Sequence, residues 1–398
     1  MFFSIQQFKN LPVVLIYLIG GLGAFFFRQT TLNWSANILS FFEVISVSVF
    51  GISVLGYCFS RTRKFFPIII ALSFYVFLFI FLPFCCSENA SLRVFFIEIK
   101  AVVYLFAALL WCGSFGNPTS EAIYKCAKSF AILYLLNHLF FIVRLGFYSR
   151  FFHFVSECNY DIFLILLGFI FFANHGKKLW DLIIFSTAVC ISGSLTGAIV
   201  FIVLVYMCYV PKNKLMSVFF LLSLFAGTYA CFLIKYSTSF LQQIYNIDRV
   251  IFFMQAFESF KELPVSEKLL GCTWGEALPE NSILPAFRFY VDLFENKNNV
   301  YGMYPFMLHS TYLRLLFGIG LPLLIIILSY FILRFLKAKH IEVKLFIIVF
   351  MFFSLSLSTM TIANGGVMLF ITGIVVLFPS QNKNMKGLDD DNKIKTVI

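Results

Sequence analysis

A histidine, an arginine and a tryptophan stand out in this chain because of where they fall. His309 opens the run His309-Ser310-Thr311-Tyr312-Leu313-Arg314-Leu315-Leu316-Phe317-Gly318-Ile319-Gly320. It lies where a long polar segment gives way to an apolar stretch, so it faces the junction of water and lipid. A neutral imidazole there can take a proton from a hydroxyl nucleophile. The plainer alternative is an interfacial histidine that caps a helix. Well upstream stands Asp248-Arg249. A guanidinium can grip a diphosphate through two parallel hydrogen bonds, or it can simply pair with Asp248 at the surface. Between them, Leu269-Leu270-Gly271-Cys272-Thr273-Trp274-Gly275 offers glycines for a tight turn near a ligand. Trp274 can stack on a sugar ring; an ordinary glycine turn is the alternative.

The elements that must position these groups follow from composition. The chain has 398 residues, 61% apolar and only 12% charged, with a mean hydropathy of +0.91. A soluble fold has too little interior to hide that much apolar surface. A cytosolic enzyme, a secreted disulfide domain and a disordered protein are thereby excluded. An all-α polytopic membrane protein remains. Apolar runs of spanning length give roughly twelve transmembrane helices. They fall near 11–27, 38–59, 65–86, 94–113, 129–147, 159–173, 179–191, 196–210, 215–234, 307–333, 345–360 and 364–379. No small-residue cleavage site follows the first run, so it is read as a retained helix and not a signal peptide.

Charge orients these helices. The net charge is +11, which in a soluble chain would suggest nucleic acid. Here Lys and Arg concentrate in alternate loops, as the positive-inside rule requires, and no nucleic-acid partner is expected. Both termini are then cytoplasmic. The division is helices one to nine over 1–234, an outer loop over 235–306, helices ten to twelve over 307–380 and a cytoplasmic tail over 381–398. The outer loop carries eight acidic against six basic residues and has ordinary soluble composition. A loop of that length generally carries function. Within it Ile247, Val250, Met254 and Phe257 recur at helical spacing, an amphipathic segment suited to the membrane interface and ended by Pro264.

Other polar residues fall inside the apolar runs: Glu43, Glu98, Lys100, Asn137, His138 and Arg144. Charge at mid-membrane costs about 2.5–3.5 kcal/mol on insertion scales. Lining of a substrate groove and plain interhelical pairing both account for these residues, and Arg144 can snorkel from its helix end. Glu98 and Lys100 are too close in sequence to share a helix face. The ten cysteines are scattered with no CxxC or Cys/His cluster, so neither zinc nor a disulfide framework is indicated.

Taken in order, Arg249, then Leu270-Gly271-x-x-x-Gly275, then His309-Ser310-x-x-Leu313 with Gly318 and Gly320 resemble the O-antigen polymerase/ligase family. Ile191-Ser192-Gly193-Ser194-Leu195-Thr196-Gly197-Ala198 also resembles a signature of that family. Many members have Arg after the second serine; Leu195 departs from this, and no role is carried to it. The resemblance implies a GT-C-like glycosyltransferase that joins undecaprenyl-diphosphate-linked oligosaccharide repeat units at the periplasmic face of a bacterial inner membrane. It makes the long loop periplasmic. It implies His309 as general base toward the acceptor hydroxyl and Arg249 as the diphosphate contact. Arg314, Arg288, Trp274 and Gly271 are further candidate substrate contacts. Arg314 lies more than one turn past His309 and points to another face. No cofactor and no metal are expected: Arg28 to Asn37, the first outer loop, contains no acid, whereas metal-dependent GT-C enzymes are similar in carrying one there. Partners implied are the lipid-linked repeat units, membrane lipid and a polysaccharide chain-length regulator. A ligase acting on lipid A-core, a flippase of lipid-linked oligosaccharide and an export scaffold are the rival readings.

Overall fold

The computed structural model describes residues 5–30, 36–60, 64–145, 154, 157–209, 248–298 and 301–379. These are helical almost throughout. No strand occurs among them, and Leu278 and Met303 make an isolated β-bridge.

In chain order the helices are α1 (Leu11–Val14) and α2 (Gly20–Thr30), joined by a π-turn; α3 (Ala36–Phe59); and α4 (Phe66–Val76), leading through a second π-turn into α5 (Leu82–Cys86). Then come α6 (Leu92–Glu98), α7 (Lys100–Ser114), α8 (Ser120–Leu145), α9 (Cys158–Phe169), α10 (Leu179–Ser192) and α11 (Leu195–Tyr209). The loop region contributes α12 (Asp248–Glu262), α13 (Val265–Leu270) and α14 (Pro285–Asn298). Last are α15 (Thr311–Ile319), α16 (Leu321–Lys337), α17 (Ile341–Ser356) and α18 (Ala363–Leu377).

Apolar residues all round a helix require burial in protein or lipid, and both solutions occur. Every residue of α9 is buried. It runs through the middle of the bundle against α8, α10, α11, α17 and α18. The segment Phe66–Cys86 is as apolar but turns most of its side chains outward, Phe74 at 64% and Phe77 at 53% exposure among them. Aromatic faces left so open suit a hydrocarbon solvent, and the chain is a membrane protein. Among the described residues four helices are long and apolar enough to cross a bilayer: Phe8–Phe27, Phe41–Phe59, Phe66–Cys86 and Ser120–Arg144. The bent pair α6–α7, angled by 45°, makes a fifth if it counts as one span. Cys158–Phe169, Leu179–Ser192, Leu195–Tyr209 and Ala363–Leu377 are apolar but shorter.

Several boundaries differ from the sequence expectation; the run expected over 94–113, for one, is the bent pair α6–α7. The fifth apolar helix begins at Ser120, ahead of its apolar run, because Thr119 donates and accepts at its start: its hydroxyl accepts from the Ala122 amide at 3.2 Å. The run expected as one helix over 307–333 is two, broken at Gly320. Gly320 sits at φ +77, and a Cβ there would lie 2.3 Å from the Leu269 carbonyl oxygen. A close backbone crossing, invisible to hydropathy, ends α15. The ninth expected helix, the start of the loop before Asp248 and the tail lie outside the described residues.

The loop helices build a second core. Phe252 and Ala256 of α12, with Leu263 just beyond its end, pack with Phe287 and Val291 of α14, and with Leu278, Met303, Met307, Leu308 and Phe317. The stripe read from the sequence faces the other way: Met254 and Phe257 are exposed, and Ile247 lies outside the described residues. Helix α12 stops at Glu262, and Pro264 starts the next, as expected of a residue that cannot continue a helix.

Candidate functional site

Arg249 stands in the first turn of α12, and Phe252 follows one turn on, so both share a helix face. The guanidinium carbon lies 6.0 Å from the Phe252 ring centre. His309 comes from the other end of the loop and sets its ring 5.2 Å from the same Phe252, tilted by 35°. The two residues singled out for chemistry therefore meet on one phenyl ring. Arg249 pairs with Glu157, N–O 3.7 Å, on the segment entering α9. Both partners are about one-third exposed (32% and 40%). Such a pair contributes at most about 1 kcal/mol, so an incoming anion with more charge can displace the carboxylate. His309 is not the cap of α15. Ser310 holds that position, its hydroxyl donating to Ser354 O at 3.1 Å, and His309 remains exposed beside it.

The glycine turn is a docking device. Gly271, at φ +94, would place a Cβ 2.7 Å from the carbonyl carbon of Gly318. The Cys272 amide donates to Phe317 O at 2.6 Å. Trp274 Nε1 donates to Gly318 O at 2.9 Å. On its other side the turn joins the α5–α6 connection: Ser91 N donates to Gly275 O at 2.8 Å, and Gly275 N donates to Glu98 Oε2 at 2.8 Å. Ser87 and Glu276 close the same seam with a hydroxyl–carboxylate bond. Gly271 and Gly275 thus hold the loop to two separate parts of the bundle.

This docking encloses a cavity. Its wall includes Glu98, Ala101, Trp274, Phe306, Arg314 and Thr361. Arg314 turns its fork inward. Nε donates to Leu308 O at 3.0 Å, one terminal nitrogen to Thr361 Oγ1 at 2.8 Å and the other to Phe306 O. Glu98 is within its electrostatic reach. Arg314 therefore lies in the cavity wall, not beside His309, as its different helix face requires. Tyr160 of α9 lies within electrostatic reach of both Arg249 and Arg314. Burial pushes the Cys272 thiol well up, helped by the nearby Glu267 carboxylate. Burial likewise raises the Tyr304 phenol, with Glu98 and Glu295 adding to it.

Arg288 is brought to neither cluster: it pairs with Asp292 on its own helix at 2.9 Å, both half exposed. The Ser192–Ala198 segment is a helix junction. Gly193 ends α10 at φ +61, and Ser194 caps α11, its hydroxyl accepting from Gly197 N at 3.0 Å and donating to Asn159 Oδ1 at 2.5 Å. Glu43 and Lys100 pair between α3 and α7, which separates them from Glu98, as their spacing requires. Among the described residues no group of three His, Cys, Asp or Glu is placed to hold a metal ion.

Sequence reasoning missed Glu157, Phe252 and Thr361, and left Glu98 open between groove lining and pairing. Phe252 carried a signal, one turn after Arg249. Glu157 and Thr361 carried none, since each meets its partner only through the tertiary fold. No family model matches the chain, and neither a curated protein nor a solved structure does.

Proposed function

We propose that this chain is an O-antigen polymerase-type glycosyltransferase of a bacterial inner membrane. It joins undecaprenyl-diphosphate-linked repeat units on the periplasmic side. One observation carries the reading: Arg249 and His309, from opposite ends of the long loop, meet at Phe252. A guanidinium and an imidazole on one exposed surface are the two groups this transfer needs. Arg249 exchanges Glu157 for the diphosphate. His309 takes the proton from the acceptor hydroxyl as its oxygen bonds to the anomeric carbon. The bond from that carbon to the phosphate oxygen breaks, and its electron pair leaves with the diphosphate, whose charge the guanidinium holds. Diphosphate is a good leaving group once its charge is held, so the reading needs no metal.

The reading includes a GT-C-like arrangement of about twelve spans, with both termini in the cytoplasm and a chain-length regulator as partner. Ser266 and Lys177 are exposed, and they test the orientation. In a cysteine-free background, Ser266→Cys should label from outside intact cells and Lys177→Cys should not. The reverse pattern would overturn the periplasmic assignment.

The catalytic test is His309→Ala. A general base contributes about 10²- to 10⁴-fold, so polymer should all but vanish while the protein still inserts. Lipopolysaccharide bearing core plus a single repeat identifies the failed step as polymerisation. Bare core with lipid-linked polymer accumulating identifies ligation, the rival within the family. A full ladder at normal expression would overturn the assignment. Arg249→Ala should match His309→Ala, and Arg249→Lys should rescue poorly if the grip is bidentate.

A further inference from the structure

We propose that Asn159 and Ser194 are positioning residues for the anion site at Arg249. They hold the Glu157 carboxylate back from the guanidinium, which stays free to take a diphosphate. Glu157 has two partners on one oxygen. Asn159 Nδ2 donates to its Oε1 at 2.6 Å, and the Arg249 guanidinium lies 3.7 Å from the same atom. The short bond is to the neutral amide and the long contact to the cation, the reverse of what two opposite charges free to approach would adopt. The carboxylate is therefore held by the bundle and not by the arginine. Glu157 also occupies the N-cap position of α9 without making the side-chain cap. A negative charge there is favoured by the helix dipole. When an anion draws Arg249 away, Glu157 keeps both Asn159 and the helix end, so no charge is left alone.

The amide of Asn159 can do this only if its NH2 group faces Glu157, and the fold settles that from both ends. An oxygen at 2.6 Å from the carboxylate would be repelled, so the nitrogen must lie there. At the other end the Ser194 hydroxyl is 2.5 Å from Asn159 Oδ1. That hydroxyl also accepts from the Gly197 amide, in the first turn of α11, at 3.0 Å. A backbone N–H can only donate, so the serine proton goes to Asn159 Oδ1 and the amide hydrogens remain for the carboxylate. The junction itself is anchored: Ser194 N donates to Ser192 Oγ at 3.1 Å, and Ser192 Oγ to Val189 O at 2.6 Å. Ser192, Ser194 and Asn159 are all buried, where water cannot replace a lost partner. Gly197, Ser194, Asn159, Glu157 and Arg249 thus stand in one line of polar contacts. Capping α11 needs only Ser194 and Gly197; it gives no reason for the line to end on a carboxylate beside an exposed cation. The diphosphate as occupant rests on the proposed function; the restraint on Glu157 does not.

Full-length protein in nanodiscs is titrated with sodium pyrophosphate, and binding is read by isothermal calorimetry. The unaltered chain should bind it saturably and Arg249→Ala should not. Asn159→Leu releases Glu157 onto the guanidinium and should weaken binding by about three- to ten-fold. Ser194→Ala lets the amide turn and should shift affinity the same way by less, without touching α9. The deciding measurement repeats both substitutions in a Glu157→Gln background. No carboxylate is left there to release, so their effects should vanish. A merely damaged fold would weaken binding in both backgrounds. Unchanged affinity in both single variants, an equal loss with Glu157→Gln present, binding that survives Arg249→Ala, or no saturable binding at all would each overturn the positioning role. No turnover enters the measurement. Coupling to Glu157 with polymer formation independent of His309 sinks the enzymatic reading alone. Polymer formation that depends on His309, with no such coupling, sinks the positioning role alone.

Discussion

The molecule holds two arginine–carboxylate clusters built to opposite specifications. Arg249 and Glu157 face each other across 3.7 Å with about one-third of each side chain exposed. Arg314 and Glu98 line the cavity, and every nitrogen of the arginine is committed to Leu308, Thr361 or Phe306. Water screens the first pair, which can come apart at little cost. The second is held by the hydrogen bonds of Arg314 and by the Gly275 amide on Glu98, and a charge left alone there is expensive. An exchangeable cation is suited to a substrate that arrives and leaves. A committed one is suited to holding a cavity in shape.

Substitution can break this contrast, and the largest effect is expected at Arg314. Arg314→Ala removes the cation near Glu98 and frees the Leu308 and Phe306 carbonyls, at a cost on the order of 2–4 kcal/mol. That is somewhat below a fully desolvated pair because both groups border the cavity. Arg249→Ala should cost no more than about 1 kcal/mol while abolishing polymer. Thermal unfolding in detergent compares the two directly; equal losses would erase the distinction. Next comes Gly320→Ala, which meets the Leu269 backbone at 2.3 Å from a left-handed φ of +77. About 1–3 kcal/mol of stability should go with it. Gly318→Ala, whose nearest contact is the Trp274 ring at 3.3 Å, should cost less, and the reverse order would refute the docking role of the turn.

Smaller effects sharpen the comparison. Glu157→Gln removes the competitor for Arg249 without unfolding anything. Stability should change by less than about 1 kcal/mol, and pyrophosphate should inhibit polymerisation at several-fold lower concentration. Unchanged inhibition would mean that the carboxylate does not guard the site. Cys272 reports on the closed cluster. Its pKa is raised by burial, so at any given pH less of it is the reactive thiolate. In a background lacking the other cysteines, alkylation by N-ethylmaleimide should stay slow and nearly flat through about pH 8.5, where an ordinary thiol is half ionised. A normal rise would show that the turn opens to solvent.

Much of this architecture was legible along the chain. Hydropathy placed most of the apolar helices, because the preference for lipid or core is a property of each residue. The end of α12 at Pro264 was legible for the same reason: a missing N–H is a local fact. The break at Gly320 was not. Its apolar neighbours read as one continuous helix, and the cause is the backbone of Leu269 crossing from a distant segment. The stripe through Met254 and Phe257 was equally regular in sequence, yet the face that packs is Phe252–Ala256–Leu263. Periodicity identifies an amphipathic helix; which apolar face finds the core depends on what α14 and α15 present to it.

The sequence by itself determined that the chain belongs in a membrane, that it is helical, and that an arginine, a glycine turn and a histidine are spaced along one polar loop. These follow from residue type and order, which no folding can change. The tertiary structure alone decided that Arg249 and His309 share Phe252 while Arg288 stays with Asp292, and that Arg314 serves the cavity with Glu98. The reason is that hydrogen bonds and ion pairs act over a few ångströms, so the partners of a polar side chain are set by how the helices pack and not by their distance along the chain.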